Sequence, residues 1–182
     1  MGVYCDYIAT VMDDYSRFIL GWKMQTDMSA NSLIEVIQQA VDATGMTNVP
    51  VIDRTKLLSD NGSGYVSRAF NDYLHLVGID HIRSAPFHPQ TNGKIERYHQ
   101  SLKKQVNQLT YEFPSELEKA IADFVDYYNH RRYHAALGNV TPADVLYGRR
   151  EEILKHRKEV QTATIGRRRD YNQGLKELAT TT

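Results

Sequence analysis

The sequence predicts an α/β fold, in which a mixed sheet is flanked by helices and followed by a helical C-terminal extension. Segments with strand composition alternate with amphipathic helical segments over roughly the first hundred residues, and helical segments follow. The 182 residues are enough for one domain with a sizeable core. No internal repeat or low-complexity linker interrupts this order.

The first strands are predicted to form a hairpin. Residues 7–12 are apolar and β-branched, and residues 18–24 are apolar again after a short polar turn. Further short strands are predicted at 56–59 and 80–84, with a helical segment between them. The strand at 56–59 ends immediately before Asp60, so we expect this carboxylate at the C-terminal end of a strand.

Capping residues delimit the first two predicted helices. Ser29 is a suitable cap for a helix that runs to about Thr44, where Gly45 provides the stop. A second helix is predicted to begin at Ser67 and to end at Gly78.

A longer helix is predicted from Gly93 to about Tyr111. Its expected core stripe consists of Ile95, Tyr98, Leu102, Val106 and Leu109. Its neighbouring polar stripe consists of Glu96, Gln100, Lys103 and Asn107.

The C-terminal third is predicted to be helical. Ser115 and Glu118 suggest a capping box for a helix that reaches Tyr128, and Thr141 suggests the start of another. We expect residues 1–148 to form the core domain. Residues 149–182 should form a basic tail that is a solvated helix fraying into disorder, because this segment is charged, Arg-rich and weakly apolar.

Composition excludes several classes of protein. No apolar run approaches the ~20 residues that a membrane span needs, and the N-terminus lacks the pattern of a secretory signal. A single cysteine, Cys5, cannot form an internal disulfide and fits a reducing, cytoplasmic compartment. Net charge is zero, but residues 1–82 carry five Lys/Arg against ten Asp/Glu, whereas residues 83–182 carry 17 against 12. Such asymmetry fits a metal-dependent enzyme acting on nucleic acid, although charges also vary along ordinary surfaces.

Asp60 and Glu96 are the candidate catalytic and metal-binding residues. Asp60 follows an apolar strand and precedes a Gly turn, and Glu96 enters a helix after a loop with two prolines, with 35 residues between the carboxylates. Separately, an Asp before Asn-Gly is often only a turn residue, and a Glu in a first helical turn often only complements the helix dipole. Together, the two could hold a hard cation such as Mg²⁺, which prefers carboxylate oxygens.

Polar and basic residues around Glu96 are candidates for contact with a nucleic-acid strand. Lys94 and Arg97 flank Glu96 in sequence, and Lys103 lies two turns further on the same face. The preceding loop supplies polar groups suited to gripping a strand, and those selected are His88, Gln90 and Asn92. Two tyrosines are expected to border the site, Tyr65 and Tyr98.

Other chemistries are disfavoured. Zinc needs three or four good ligands, and the histidine pair at His130 and His134 has no cysteine near it in sequence. Ser16 and Ser59 lack the Gly-x-Ser-x-Gly context of a serine hydrolase. No Gly-rich phosphate-binding loop is present, so we expect no nucleotide cofactor.

Five blocks, in order, resemble the catalytic core of retroviral-type integrases and insertion-sequence transposases. LSDNG at 58–62 and HPQTNGKIER at 88–97 resemble the second and third elements of their Asp-Asp-Glu signature. The block at 13–22 resembles the turn between the second and third strands, and 128–134 with 137–144 resemble the stretch that closes these cores.

The resemblance implies a ribonuclease-H-like fold and metal-dependent cutting and joining of DNA ends. It further implies Mg²⁺ or Mn²⁺ as cofactor, DNA as partner, a homo-oligomer in the active complex, and a bacterial cytoplasmic protein associated with the nucleoid when bound to DNA. Asp60 and Glu96 would hold the ions, and Lys94 and Lys103 would position phosphates.

One departure from the signature concerns its first aspartate. That residue lies on a first strand, upstream of the block that matches residues 7–12, and Asp6 is too close to that block to replace it. The chain is therefore expected to lack the first strand of the core. The alternatives are an inactive DNA-binding remnant of the same fold and a nuclease that cuts without joining.

Overall fold

Two strand pairs and the helices around them make up the structure. The computed structural model describes residues 7–84 and 93–180. The strands are β1 (Tyr7–Met12), β2 (Ile19–Gln25), β3 (Leu57–Ser59) and β4 (His81–Arg83). The helices are α1 (Ala30–Thr44), α2 (Ser63–Val66), α3 (Arg68–Leu76), α4 (Gly93–Val106), α5 (Pro114–His130), α6 (Pro142–Leu146) and α7 (Arg150–Thr180). Short 3-10 turns cover Met46–Asn48, Val51–Asp53 and Ala135–Leu137.

Strands β1 and β2 form the predicted antiparallel hairpin. Tyr7 lies opposite Gln25, and the register shifts between Val11 and Met12. The Asp13 carboxylate closes the turn by accepting hydrogen bonds from the Ser16 backbone N–H at 2.7 Å and from the Ser16 hydroxyl at 2.5 Å. Asp13 is therefore a turn residue, because its carboxylate holds the polypeptide chain.

The hairpin lies between two layers of helices. Alternate residues of a strand point to opposite faces, so Ala9 and Val11 join a core cluster with α1 and α3. Ile8 and Met12 point the other way and pack against a cluster formed by α4 and α5. The result is an α/β/α arrangement in which the hairpin touches both cores.

Local capping signals located α1 and α3 correctly. The Ser29 hydroxyl accepts a hydrogen bond from the Ser32 N–H, and Gly45 ends α1 in the left-handed region at φ 63°. Ser67 caps α3 in the same way through the Phe70 N–H. The buried residues of these two helices are Leu33, Val36, Ile37, Ala40 and Val41 of α1, and Phe70 and Leu74 of α3.

Strands β3 and β4 pair in parallel, and helices α2 and α3 lie between them in the sequence. Leu57 lies opposite His81 and Ser59 opposite Arg83. The predicted mixture of antiparallel and parallel pairing is thus present, arranged among the described residues as two separate two-stranded sheets.

The boundaries of α4 and α5 differ from the predicted ones. Helix α4 ends at Val106 rather than near Tyr111, so Leu109 is 64% exposed and does not extend the core stripe. The start of α5 also differs, because Pro114 occupies the first helical position. Glu116, not Glu118, reaches back to accept hydrogen bonds from the backbone N–H groups of Glu112 and Phe113. The capping box predicted at Ser115 is therefore wrong.

The C-terminal helices close the structure. The Thr141 hydroxyl and the Asp144 carboxylate form the predicted reciprocal cap of α6. Helix α7 continues to Thr180, where the sequence predicted fraying, and its first turns pack Ile153 and Leu154 against a small core cluster. Among the described helices, none combines the length and hydropathy that a membrane crossing requires.

Candidate functional site

Asp60 lies directly after β3, as the sequence predicted, and its side chain is exposed. Its Oδ1 accepts a hydrogen bond from the Gly62 N–H at 2.9 Å. The Asn61 side-chain amide donates to the Ser84 carbonyl at 2.9 Å, which ties this loop to the residue after β4. The loop is therefore held at both of its first positions, while Oδ2 of Asp60 has no hydrogen bond to the described residues.

A half-buried network of three polar side chains, here called the polar network, supports the loop from behind. The Ser59 hydroxyl lies 2.8 Å from His81 Nε2, and His81 Nδ1 lies 3.3 Å from Asn71 Oδ1. The Asn71 amide nitrogen donates to the Ser67 carbonyl, so the Asn71 side-chain oxygen faces the His81 ring. Burial lowers the pKa of His81, and the Arg83 charge lowers it further, which favours the neutral form.

The sequence did not predict this polar network, because Ser59 was considered only as a possible nucleophile. Ser59 and His81 are neighbours only through the parallel pairing of β3 with β4. The two residues are 22 positions apart, and that spacing does not predict the pairing. The polar network holds the end of β3, which Asp60 directly follows.

Tyr65 borders Asp60, and Tyr98 does not lie at the surface. A Cβ placed on Gly62 would lie 3.1 Å from Asp60 Oδ1 and 3.5 Å from Tyr65 Cδ2, so the two side chains are neighbours. Burial raises the pKa of the Tyr65 hydroxyl, and the negative charge of Asp60 raises it further. The Tyr65 ring meets Phe70 edge-on, with ring centroids 5.4 Å apart. Tyr98 is 1% exposed within the α4–α5 core, so its expected place beside the site is wrong.

Glu96 lies in the first turn of α4 with its side chain exposed. The start of this helix is anchored to the hairpin turn, because Lys94 Nζ contacts Asp14 Oδ1 at 2.7 Å and donates to the Asp14 carbonyl at 2.8 Å. Lys94 therefore has a structural partner. Arg97 is exposed, and its Nε donates to the Gly93 carbonyl at 2.9 Å.

Lys103 is exposed near the end of α4. Burial lowers the pKa of the nearby His99, and the Lys103 charge lowers it further. The other predicted strand-gripping residues (His88, Gln90 and Asn92) lie outside the described residues, as do Cys5 and Asp6.

The donor chemistry of Asp60 and Glu96 suits a hard divalent cation, since both are exposed carboxylates. No ion pair to a Lys or Arg is formed by either within residues 7–84 and 93–174. The same part of the chain contains no group of three or more His, Cys, Asp or Glu arranged to hold a metal ion. Among the described residues, Asp60 and Glu96 therefore belong to no cluster of three metal ligands.

Transposases of bacterial insertion sequences are similar to this chain over about three quarters of its length. A Mycobacterium tuberculosis (strain CDC 1551 / Oshkosh) protein, named as a transposase for insertion sequence element IS986/IS6110, is 29% identical over 149 residues, covering 76% of this chain and 51% of that protein. The Shigella sonnei transposase for insertion sequence element IS629 is 27% identical, covering 76% and 45%. The chain spans about half the length of these relatives.

Solved structures share the fold. The catalytic core domain of BIV integrase superposes with a TM-score of 0.59 at 20% identity, covering 82% of this chain and 89% of that one. The HTLV-2 integrase catalytic core domain in complex with magnesium gives a TM-score of 0.56 at 18% identity, covering 75% and 82%. These values establish the ribonuclease-H-like architecture.

Family models account for most of the chain. One model of the integrase core domain matches residues 5–89, which include Asp60, and a second matches residues 77–142, which include Glu96. The matched regions overlap and together extend from residue 5 to residue 142. The chain therefore belongs to the integrase core domain family of transposases and retroviral-type integrases.

Proposed function

We propose that this chain is the catalytic core of a DNA transposase that cuts and joins DNA ends by metal-dependent phosphoryl transfer. The single observation that carries the proposal is the placement of Asp60 at the end of β3 and Glu96 in the first turn of α4, within an integrase-core fold. Membership of the integrase core family supports chemistry on DNA, and the bacterial relatives named as transposases support transposition. The proposed location is the bacterial cytoplasm, at the nucleoid when the protein is bound to DNA.

Asp60 and Glu96 would hold Mg²⁺ or Mn²⁺ through their exposed carboxylate oxygens. When bound, such ions activate water or a DNA 3′-hydroxyl and stabilise the leaving 3′-oxygen. The hydrogen bond from the Gly62 N–H to Oδ1 orients the Asp60 side chain, and Oδ2 would be the oxygen available to the ion. The polar network of Ser59, His81 and Asn71 would keep the end of β3 in place while the substrate is bound.

Basic residues on α4 would bind the DNA backbone. Arg97 and Lys103 are exposed on this helix and have no carboxylate partner among the described ion pairs. Lys94 would contribute mainly by anchoring the start of α4 to Asp14, and its positive charge would still lie near the DNA backbone. His88, Gln90 and Asn92 remain predicted to shape the path of the strand.

The working complex is proposed to contain DNA and more than one copy of the chain. One HTLV-2 core structure is described as a trimeric form. Joining two DNA ends requires two sites to act together, which multimers provide.

A DNA cutting and joining assay with Mn²⁺ tests the proposal, alongside Mn²⁺ binding measured by electron paramagnetic resonance. Asp60→Asn and Glu96→Gln should each abolish activity and weaken Mn²⁺ binding, because each removes a carboxylate ligand. Glu118→Gln is the matched control, since Glu118 is exposed on α5 and far from both carboxylates in sequence.

The outcomes separate the alternatives. Joining dependent on both carboxylates supports the transposase. Cutting without joining indicates a nuclease of the same fold, and DNA binding with neither activity nor Mn²⁺ binding indicates an inactive remnant. Activity that is unchanged in Glu96→Gln would remove Glu96 from the proposed site.

A further inference from the structure

Three structural elements meet beside the start of α4. The Phe18 ring, from the hairpin turn, meets His130 at the end of α5 edge-on at 5.6 Å between centroids. Tyr98 of α4 meets Tyr128 of α5 at 4.9 Å. The Lys94–Asp14 ion pair joins α4 to the hairpin turn. The hairpin turn, the first turns of α4 and the end of α5 therefore lie against one another.

One arginine comes from the hairpin turn, one from α4 and one from the segment just after α5, and these three (Arg17, Arg97 and Arg132) are here called the arginine corner. The Arg132 guanidinium lies 5.6 Å from the centre of the Tyr128 ring. Burial raises the pKa of Tyr128, whereas the positive charges of Arg132, Arg17 and Arg97 act in the opposite direction. The contacts between the three elements and these electrostatic effects together place the three cations in the neighbourhood of Tyr128.

Three carboxylates near the arginine corner are committed to other partners, and the exposed Glu96, next to Arg97, is left for the proposed metal. Asp14 pairs with Lys94, and Asp126 pairs with Arg131. The Asp13 carboxylate is bound to Ser16. Within the described residues, no ion pair involves any member of the arginine corner. Arg97 is exposed, and Arg17 and Arg132 are half-buried. Neighbouring cations without ion pairs repel each other, and a bound polyanion would relieve that repulsion.

Arg17 has an unfavourable backbone conformation for its side chain. Its φ is 64°, in the left-handed region that glycine and asparagine adopt most easily. A non-glycine residue there costs on the order of 1 kcal/mol, so the turn alone does not account for an arginine at this position.

We propose that the arginine corner binds the DNA backbone, with Arg17, Arg97 and Arg132 contacting phosphates on the strand that passes Glu96. This inference rests on the proposed function, because it takes DNA as the polyanion. Planar guanidinium groups bind phosphate oxygens in pairs, and Arg97 is adjacent to Glu96 on the first turns of α4. The arginine corner would thus align the strand with the carboxylates.

Binding of a fluorescent duplex DNA, measured by anisotropy in EDTA over a range of salt concentrations, tests the inference without metal or catalysis. Arg97→Gln and Arg132→Gln should each weaken binding and reduce the slope of log K against log salt by about one. Arg17→Asn should do the same while keeping or raising the thermal stability, since asparagine suits the left-handed turn. Arg132→Lys should keep the slope, because the slope reports the number of charges that contact phosphates and lysine keeps the charge.

Arg131→Gln is the matched control. Arg131 neighbours Arg132 in sequence and is exposed, but its charge is paired with Asp126, so the salt slope should not change. Unchanged slopes in all three corner variants of a chain that binds DNA would overturn the inference and leave the proposed function intact. Reduced slopes in a chain that neither cuts nor joins would support the inference against the proposed function. If the wild-type chain binds an acidic peptide but no DNA, the inference fails.

Discussion

Asn129 of α5 binds both backbone groups of Ile19, the first residue of β2. The Ile19 N–H donates to Asn129 Oδ1 at 2.8 Å, and Asn129 Nδ2 donates to the Ile19 carbonyl at 3.0 Å. Asn129 is only 4% exposed, so these bonds replace strand pairing in a place that water reaches poorly. The pair fixes α5 against the hairpin, and thereby the elements of the arginine corner.

Asn129→Ala is expected to lower the free energy of unfolding by about 2–4 kcal/mol, because it leaves a buried donor and a buried acceptor unpaired. Urea denaturation measures the loss. Asn107→Ala, at an exposed position just after α4, is the control and should change stability little. A loss below about 0.5 kcal/mol in Asn129→Ala would mean that water replaces the amide.

Tyr98→Phe is expected to stabilise the protein by about 1 kcal/mol, because the buried Tyr98 hydroxyl has no hydrogen-bond partner among the described residues. Tyr73→Phe is the contrasting variant. It removes a hydroxyl that donates to Gln38 Oε1 at 2.7 Å, so it should destabilise by about 0.5–1.5 kcal/mol. Thermal unfolding of both variants compares them directly, and opposite shifts are expected. A destabilised Tyr98→Phe would reveal a bound water.

Gly64→Ala should destabilise the protein by about 1–3 kcal/mol through overpacking. A Cβ at this buried position would meet the Met28 carbonyl and would lie 2.6 Å from Leu33 Cδ1. Gly166→Ala on α7 is the matched variant, since nothing lies within 4 Å of its added Cβ. It should favour helix by about 0.5–1 kcal/mol. Circular dichroism with urea titration follows both, and an equal response at the two glycines would contradict the packing argument.

Acid should destabilise the protein between about pH 6.5 and pH 4. Burial, with help from Arg132 and Arg17, lowers the pKa of His134 to about 4 from the ordinary 6.5. The unfolded chain therefore takes up a proton first as the pH falls, so the stabilisation is complete above pH 6.5 and is lost on the way to pH 4. Stability measured against pH checks this slope.

His134→Phe should flatten that slope, because it keeps a ring against Tyr128, whose centroid lies 4.8 Å from that of His134, and removes the titrating group. His81 and His99 also have lowered pKa values, so part of the slope should remain. His156→Phe, at an exposed position of α7, is the control. An undiminished slope in His134→Phe would assign the acid sensitivity elsewhere.

Local signals in the sequence were sufficient for most element boundaries. Ser29 and Gly45 bracket α1, and Thr141 caps α6, because a cap depends on residues within one turn of itself. The end of α4 was misplaced, since the apolar spacing continues to Leu109 although the helix stops at Val106. Periodicity indicates which face is apolar, but it does not indicate whether a neighbouring helix is present to cover it.

What the sequence by itself determined is the alternation of strands and helices, and the position of Asp60 and Glu96 at the ends of two such elements. What only the tertiary structure decided is which distant residues meet. Ile19 and Asn129 are 110 residues apart, and the three members of the arginine corner come from three elements. The physical reason is that caps and turns act over a few residues, whereas these contacts exist only once the hairpin has been packed between its two layers of helices.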